Sequence, residues 1–242
     1  MKFLKTLIAT VIIFNLASCE KSGNCISGNG EQREELRNPG AFTGVELKIP
    51  SSVKIINGKT NSITINAPSN IIGHISTYVI GSTLFIENKD NVCIKNGESQ
   101  ISIEVVTPSL DKALVQGSGT IFSSDSLYAP NLIIGTDGSG NVRMEQVYTE
   151  NYAARISGSG DIYIAGPLQA DNGEIRISGS GEVVSDQLKT NDSYIEISGS
   201  GDVWVETVSS LDVKISGSGT VYYKGSPAIT SEITGSGAII KQ

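Results

Sequence analysis

Histidine and tryptophan each occur once in the 242 residues, at His74 and Trp204, and cysteine occurs three times. A single histidine leaves no partner for a histidine-based metal centre. In "NIIGHIST" no Cys or Asp stands beside it, so His74 reads as a solvated or hydrogen-bonded strand residue, not a general base. Neither Cys25 nor Cys93 lies near a His or an acid in metal-ligand spacing. Basic residues are also few, with 18 Lys and Arg against 25 Asp and Glu. That balance gives no electrostatic footprint for nucleic acid. No nucleophile elbow, Walker lysine or dinucleotide fingerprint is present. The apolar run Leu7 to Leu16 is too short and too close to the start to read as a spanning helix.

That run has another reading. Lys2 and Lys5 precede it and Leu16-Ala17-Ser18-Cys19 follow it, the layout of an export signal ending in a sequence that resembles a bacterial lipobox. Cleavage would remove residues 1–18 and leave a lipid on Cys19. The remaining chain would carry sixteen basic and twenty-five acidic residues, a net charge of −9. Residues 19–40 are polar and Gly-rich with no apolar period, and read as a tether. The expectation is a membrane partner through Cys19, with several acyl chains for stable anchoring, in a cell-envelope, outer-membrane lipoprotein. In that compartment Cys25 and Cys93 can form a disulfide or stay reduced; nothing in the sequence fixes their distance.

What the chain has in abundance is glycine, and its arrangement is regular. Gly-Ser-Gly begins at Gly117, Gly138, Gly158, Gly179, Gly199, Gly217 and Gly235, at intervals of 21, 20, 21, 20, 18 and 18 residues. A second marker, an aliphatic residue followed two later by a small one, recurs at Leu127, Val147, Leu168, Leu188 and Val208. From each of the first four markers to the next tripeptide is always 11 residues, so the one-residue variation lies between tripeptide and marker. Around each tripeptide apolar residues alternate, as in Ile156, Gly158, Gly160, Ile162 and Ile164, and period two means strand. Both glycines fall where inward side chains would stand, the sign of a bend too tight for Cβ. Asn131, Asn151, Asn172 and Asn191 mark a polar turn in each unit.

A unit of about 20 residues cannot bury its apolar face alone and must stack on its neighbours. The expected fold is all-β: a right-handed parallel β-helix, or β-solenoid, over 116–242, with seven marked coils giving about 30 Å of rod. A propeller needs about 40 residues per blade and is excluded by the period. Residues 41–115 carry strands without the tripeptide and read as an irregular N-terminal β region, either capping coils or a small flanking sheet.

Here a resemblance enters. "AFTGVELKIPSSVKIINGKTNSITINAPSNIIGHISTYVIGSTLFIEN" followed by repeated "ISGSGD(I/V)" resembles the Bacteroidota family described as "putative auto-transporter adhesin, head GIN domain", over roughly 40–240. The resemblance implies the fold and an adhesin-like role. The last two units depart from it by being shorter, and the final one has Ala238-Ile239-Ile240 in place of an acid.

Two outward columns follow from the period. The first runs Thr120, Asn141, Asp161, Glu182, Asp202 and Thr220. Its three carboxylates are either a weak Ca²⁺ site, since calcium takes several oxygen ligands, or a solvated acidic ridge that discourages edge pairing. No other cofactor is expected. The second column runs Phe122, Arg143, Tyr163, Val184, Trp204, Tyr222 and Ile240. Exposed rings there, Phe122, Tyr163, Trp204 and Tyr222, suit a binding face for a glycan or a protein, or burial in a homo-oligomer. The expected function is a non-enzymatic, adhesin-like binding module. The alternatives are a self-assembling envelope scaffold and a glycan-active β-helix enzyme, since such enzymes use clustered carboxylates in a groove.

Overall fold

A computed structural model describes residues 25–89, 92–96 and 100–242. The export signal, the lipobox and Cys19 lie outside the described residues.

The coil around "RISGSGDIYIAG" shows how each repeat is built. Asn151–Gly158 forms a strand on one face of the rod, Ser159 and Gly160 turn the corner, and Ile162–Ala165 runs back along the second face. A looser corner then leads to Ala170–Gly179 on the first face, one coil higher. Along both strands the inward residues Ala154, Ile156, Ile162 and Ile164 are buried, and alternate residues face out. Each strand pairs in parallel with its equivalents above and below. Gly117, Gly138, Gly158, Gly179, Gly199, Gly217 and Gly235 are successive Cα partners, so the tripeptides stand in single file. The result is a β-solenoid of about 6 turns.

The two glycines of the tripeptide serve different needs, a correction to the expectation that both replace inward side chains. The second, such as Gly160, is buried and inward; a Cβ there would come within 2.0 Å of the Gly140 carbonyl oxygen. The first sits at the bend itself with φ of +123° at Gly158 and +136° at Gly179. Its carbonyl accepts the N–H of the serine one coil on, as in Ser180 to Gly158 at 2.8 Å. A Cβ on Gly179 would lie 2.0 Å from that same oxygen. Backbone contact between coils therefore occupies the space of a side chain.

Length variation falls at the looser corner. Register shifts lie between Ser123 and Ser126, between Tyr163 and Ala165, and from Ser185 through Thr190 to Asp192, while the tripeptide corner stays in step. Glu182–Gly199 and Asp202–Gly217 run continuously round this corner and serve both faces.

The region 41–115 is part of the rod, not a separate sheet. Gly44–Leu47 and Ser52–Asn57 make a coil directly against the first repeat, pairing with Lys112–Val115 and Thr120–Phe122. The strands Thr83–Asn88 and Ser102–Thr107 make the next coil outward, also parallel. Beyond it the pairing turns antiparallel: Ile75–Ile80 on one face, Ser62–Pro68 and then Gln32–Arg37 on the other. Spatial order thus departs from chain order, and the chain returns to insert a coil between its own first coil and the cap. The outermost strand, "QREELR", is charged and exposed, which discourages edge-to-edge pairing. Arg37 ties the two faces at this end by donating to the Ile75 carbonyl at 2.9 Å and to Thr77 Oγ1 at 3.2 Å.

The stretch expected as a free tether to residue 40 is docked from Cys25 onward. Cys25 and Cys93 form a disulfide, with Ile26–Ser27 paired in parallel to Ile94–Lys95.

Candidate functional site

The first outward column assembles as a file on the second face, with Glu182, Asp202 and Thr220 as direct partners. Its side chains are turned to the backbone. Asn141 Oδ1 accepts the Asp161 N–H at 3.0 Å, Asp161 Oδ1 accepts that of Glu182 at 3.1 Å, and Asp202 Oδ1 that of Thr220 at 2.8 Å. Each closes an N–H just past the bend, where the ladder of the first face has ended. Glu182 accepts no such bond. Partial burial pushes its carboxyl above the ordinary value, and the Asp161 and Asp202 charges on either side add to the effect. Among the described residues no three His, Cys, Asp or Glu side chains are grouped to hold a metal ion, Asp161, Glu182 and Asp202 included.

The second column also stands in register, through Phe122, Arg143, Tyr163, Val184, Trp204, Tyr222 and Ile240. Trp204 and Tyr222 stack with ring centroids 4.7 Å apart, and the Arg143 guanidinium lies 4.1 Å from the Tyr163 ring centre. Val184 separates the two pairs. All four rings, Phe122, Tyr163, Trp204 and Tyr222, are half-buried. Phe122 borders a separate hollow of about 330 Å³ that also includes Lys54 and Glu104.

The outward surface of the first face carries more than sequence reasoning assigned to it. Arg155 and Arg176 are direct partners, and their acids come from the same face: Glu174 accepts Arg176 Nε at 2.7 Å and Arg155 Nη2 at 3.3 Å, while Glu196 pairs with Arg176 Nη1. The Arg176 guanidinium beside Glu174 holds that carboxyl below its ordinary value. Glu174 and Arg176 two apart in "EIRIS" share an outward parity, the signal that would have found them. Asparagines Asn131, Asn151 and Asn172 form an amide ladder at 3.0 and 2.7 Å; the next rung is Asp192 and not Asn191. Two shallow hollows lie side by side on this face. One, of about 470 Å³, is bordered by Leu114, Gly135, Asp137, Arg155 and Ser157; the other, of about 500 Å³, by the amide ladder, Ile133 and Tyr194.

Inside the rod, Tyr152 is buried and its hydroxyl meets Ser185 Oγ at 3.1 Å. Burial raises the phenol. Gly173, its partner on the next coil, leaves it room, since a Cβ there would lie 2.7 Å from Tyr152 Oη. His74 closes the short 3₁₀ turn Ile72–His74 in the N-terminal cap.

Comparison with known proteins agrees with this architecture. No curated protein matches the chain. Three solved structures share the fold: a "putative adhesin" from Bacteroides fragilis NCTC 9343, at TM-score 0.84 and 23% identity, covering 90% of this chain and 100% of its own; a "putative lipid binding protein" from Parabacteroides distasonis ATCC 8503, at 0.74 and 23%, covering 90% and 99%; and a "putative adhesin" from Parabacteroides merdae ATCC 43184, at 0.70 and 17%, covering 90% and 98%. A family model matches residues 41–227, from the first coil into the last shortened repeat. The chain belongs to the family described as "Putative auto-transporter adhesin, head GIN domain".

Proposed function

We propose that this protein is a non-enzymatic binding module of adhesin type, anchored to the outer membrane through a lipid on Cys19, with the ring column of the second face as its contact surface. The observation that carries the reading is the in-register stack of Trp204 on Tyr222, a rigid aromatic surface that costs little conformational entropy to present. The enzyme alternative draws no support from the carboxylates it would need, since Asp161 and Asp202 spend an oxygen each on backbone N–H groups. The test is glycan-array and cell-binding measurement with wild type and Trp204→Ala. Removal of an anchoring ring should cost about 2 kcal/mol or more, roughly thirtyfold in affinity. Unchanged binding would remove this face from consideration.

One observation favours a second reading, the self-assembling scaffold. Ile229 and Ile233 on the strand Ala228–Gly235 are 42% and 41% exposed, whereas their partners Leu211 and Ile215 one coil earlier are 0% and 2% exposed. A stable oligomer by light scattering, lost on Ile229→Lys, would support it.

A further inference from the structure

We infer a second ligand site, on the opposite face from the rings: the hollow around Gly135, taking a neutral oligosaccharide laid along the rod axis. In the outward column Leu114, Gly135, Arg155, Arg176 and Glu196, every position but one carries a side chain. The gap at Gly135 is covered by its neighbours, which leave the glycine itself buried: a Cβ added there would stand 3.1 Å from both Leu114 Cδ2 and the Arg155 carbonyl oxygen, so the Leu114 methyls lean into the gap and form the apolar floor of the hollow. This glycine is in ordinary strand conformation, so the missing side chain answers a need for space and not for backbone freedom.

Polar groups of both senses border the gap. Arg155 is bound to Glu174 by one N–H at 3.3 Å, on a carboxylate that Arg176 holds more closely, so it keeps most of its donors. Asp137, exposed in the neighbouring column, is an acceptor, and Ser157 and Ser178 continue that column with hydroxyls. An acceptor, a donor fork and a hydroxyl row around an apolar floor match a sugar, whose hydroxyls both give and accept while its C–H face rests on methyls. The paired signs argue against an acidic ligand, which would set its carboxylate beside Asp137 and Glu196. The repeat argues for a polymer. From Leu114 to Glu196 the column spans five strands, about 19 Å at ordinary strand spacing, and the column beside it presents a serine hydroxyl at three successive steps, Ser157, Ser178 and Ser198.

This site is independent of the ring column, and one titration separates them. The full protein would be titrated calorimetrically with cellohexaose, mannohexaose and galacturonate hexamer. Binding of at least one neutral hexamer is expected, weakened about tenfold or more by Asp137→Ala and by Arg155→Ala, because each removes a hydrogen bond to a charged group. Gly135→Ala should weaken it by pushing the Leu114 side chain out into the hollow, with circular dichroism showing that the fold survives, and Trp204→Ala should leave it intact. The inference is overturned if neither neutral hexamer binds, if galacturonate binds more tightly, or if affinity survives the Asp137 and Arg155 substitutions.

Discussion

Alanine at two glycines of the same file should have very different consequences. Gly117 and Gly179 occupy equivalent bends, with φ of +99° and +136°. At both, an L-residue is held in a region it disfavours, at a cost on the order of 1–3 kcal/mol. There the likeness ends. An added Cβ on Gly117 meets nothing within 4 Å, whereas on Gly179 it lies 2.0 Å from the Gly158 oxygen and 2.9 Å from its carbon. That overlap forces the coils apart, roughly 1–3 kcal/mol for overpacking. It also endangers the Ser180 N–H bond to Gly158, about 1 kcal/mol more. Gly179→Ala should therefore lose about 2–4 kcal/mol beyond Gly117→Ala, while Ser180→Ala, truncating an exposed side chain, should stay within about 0.5 kcal/mol of wild type. Urea unfolding read by circular dichroism gives the energies, and hydrogen exchange shows whether opening is confined to neighbouring coils, as a solenoid's local coupling predicts. Equal losses at the two glycines would refute the claim that backbone stacking, not bend conformation, demands the tripeptide.

Two further outcomes follow from the same contacts. Glu182 has a raised carboxyl, so its charged form is disfavoured in the fold: the penalty is complete above the folded pKa and vanishes as pH falls below the ordinary 4.5. Glu182→Gln should consequently raise the melting temperature at pH 7, by a gain of some tenths of a kcal/mol from relieved like-charge contact, and the difference should close near pH 4; destabilisation at pH 7 would contradict the column's geometry. In the interior, Gly173→Ala should cost about 1–3 kcal/mol by pressing on Tyr152, and much less in a Tyr152→Val background. Additive losses in that double-mutant cycle would show that the two residues do not share the space.

The repeat was legible because its register is written locally. Left-handed bends and inward glycines recur at each coil, and alternation fixes which side chains point out, so the Trp204 and Asp161 columns follow from the sequence alone. The N-terminal region was not legible in the same way. Which strand pairs with Gly44–Leu47 depends on a chain that leaves the rod, folds back antiparallel and returns, and no local signal encodes that order. The acids of Arg155 and Arg176 were not legible either: Glu174 and Glu196 reach them across the ladder on the same face, a pairing set by which strands are neighbours and not by separation along the chain. Sequence alone offers the carboxylates after the bend as a calcium site or a solvated ridge, because a backbone N–H left over by a corner does not show in sequence.

The bridge between Cys25 and Cys93 has a mechanical consequence once the anchor proposed on Cys19 is considered. Glu20 to Asn24 then separate the acylated residue from a covalent tie near the antiparallel end, a leash of at most about 21 Å. With that anchor the charged "QREELR" end would be held near the bilayer, and the last coil, ten strand spacings along the rod, could stand as much as roughly 50 Å farther out. Reduction of the bridge would leave residues 26–37 held by their strand pairings alone, Ile26–Ser27 on Ile94–Lys95 and Gln32–Arg37 on the strand Ser62–Pro68, so the length of the leash would then depend on whether those pairings hold.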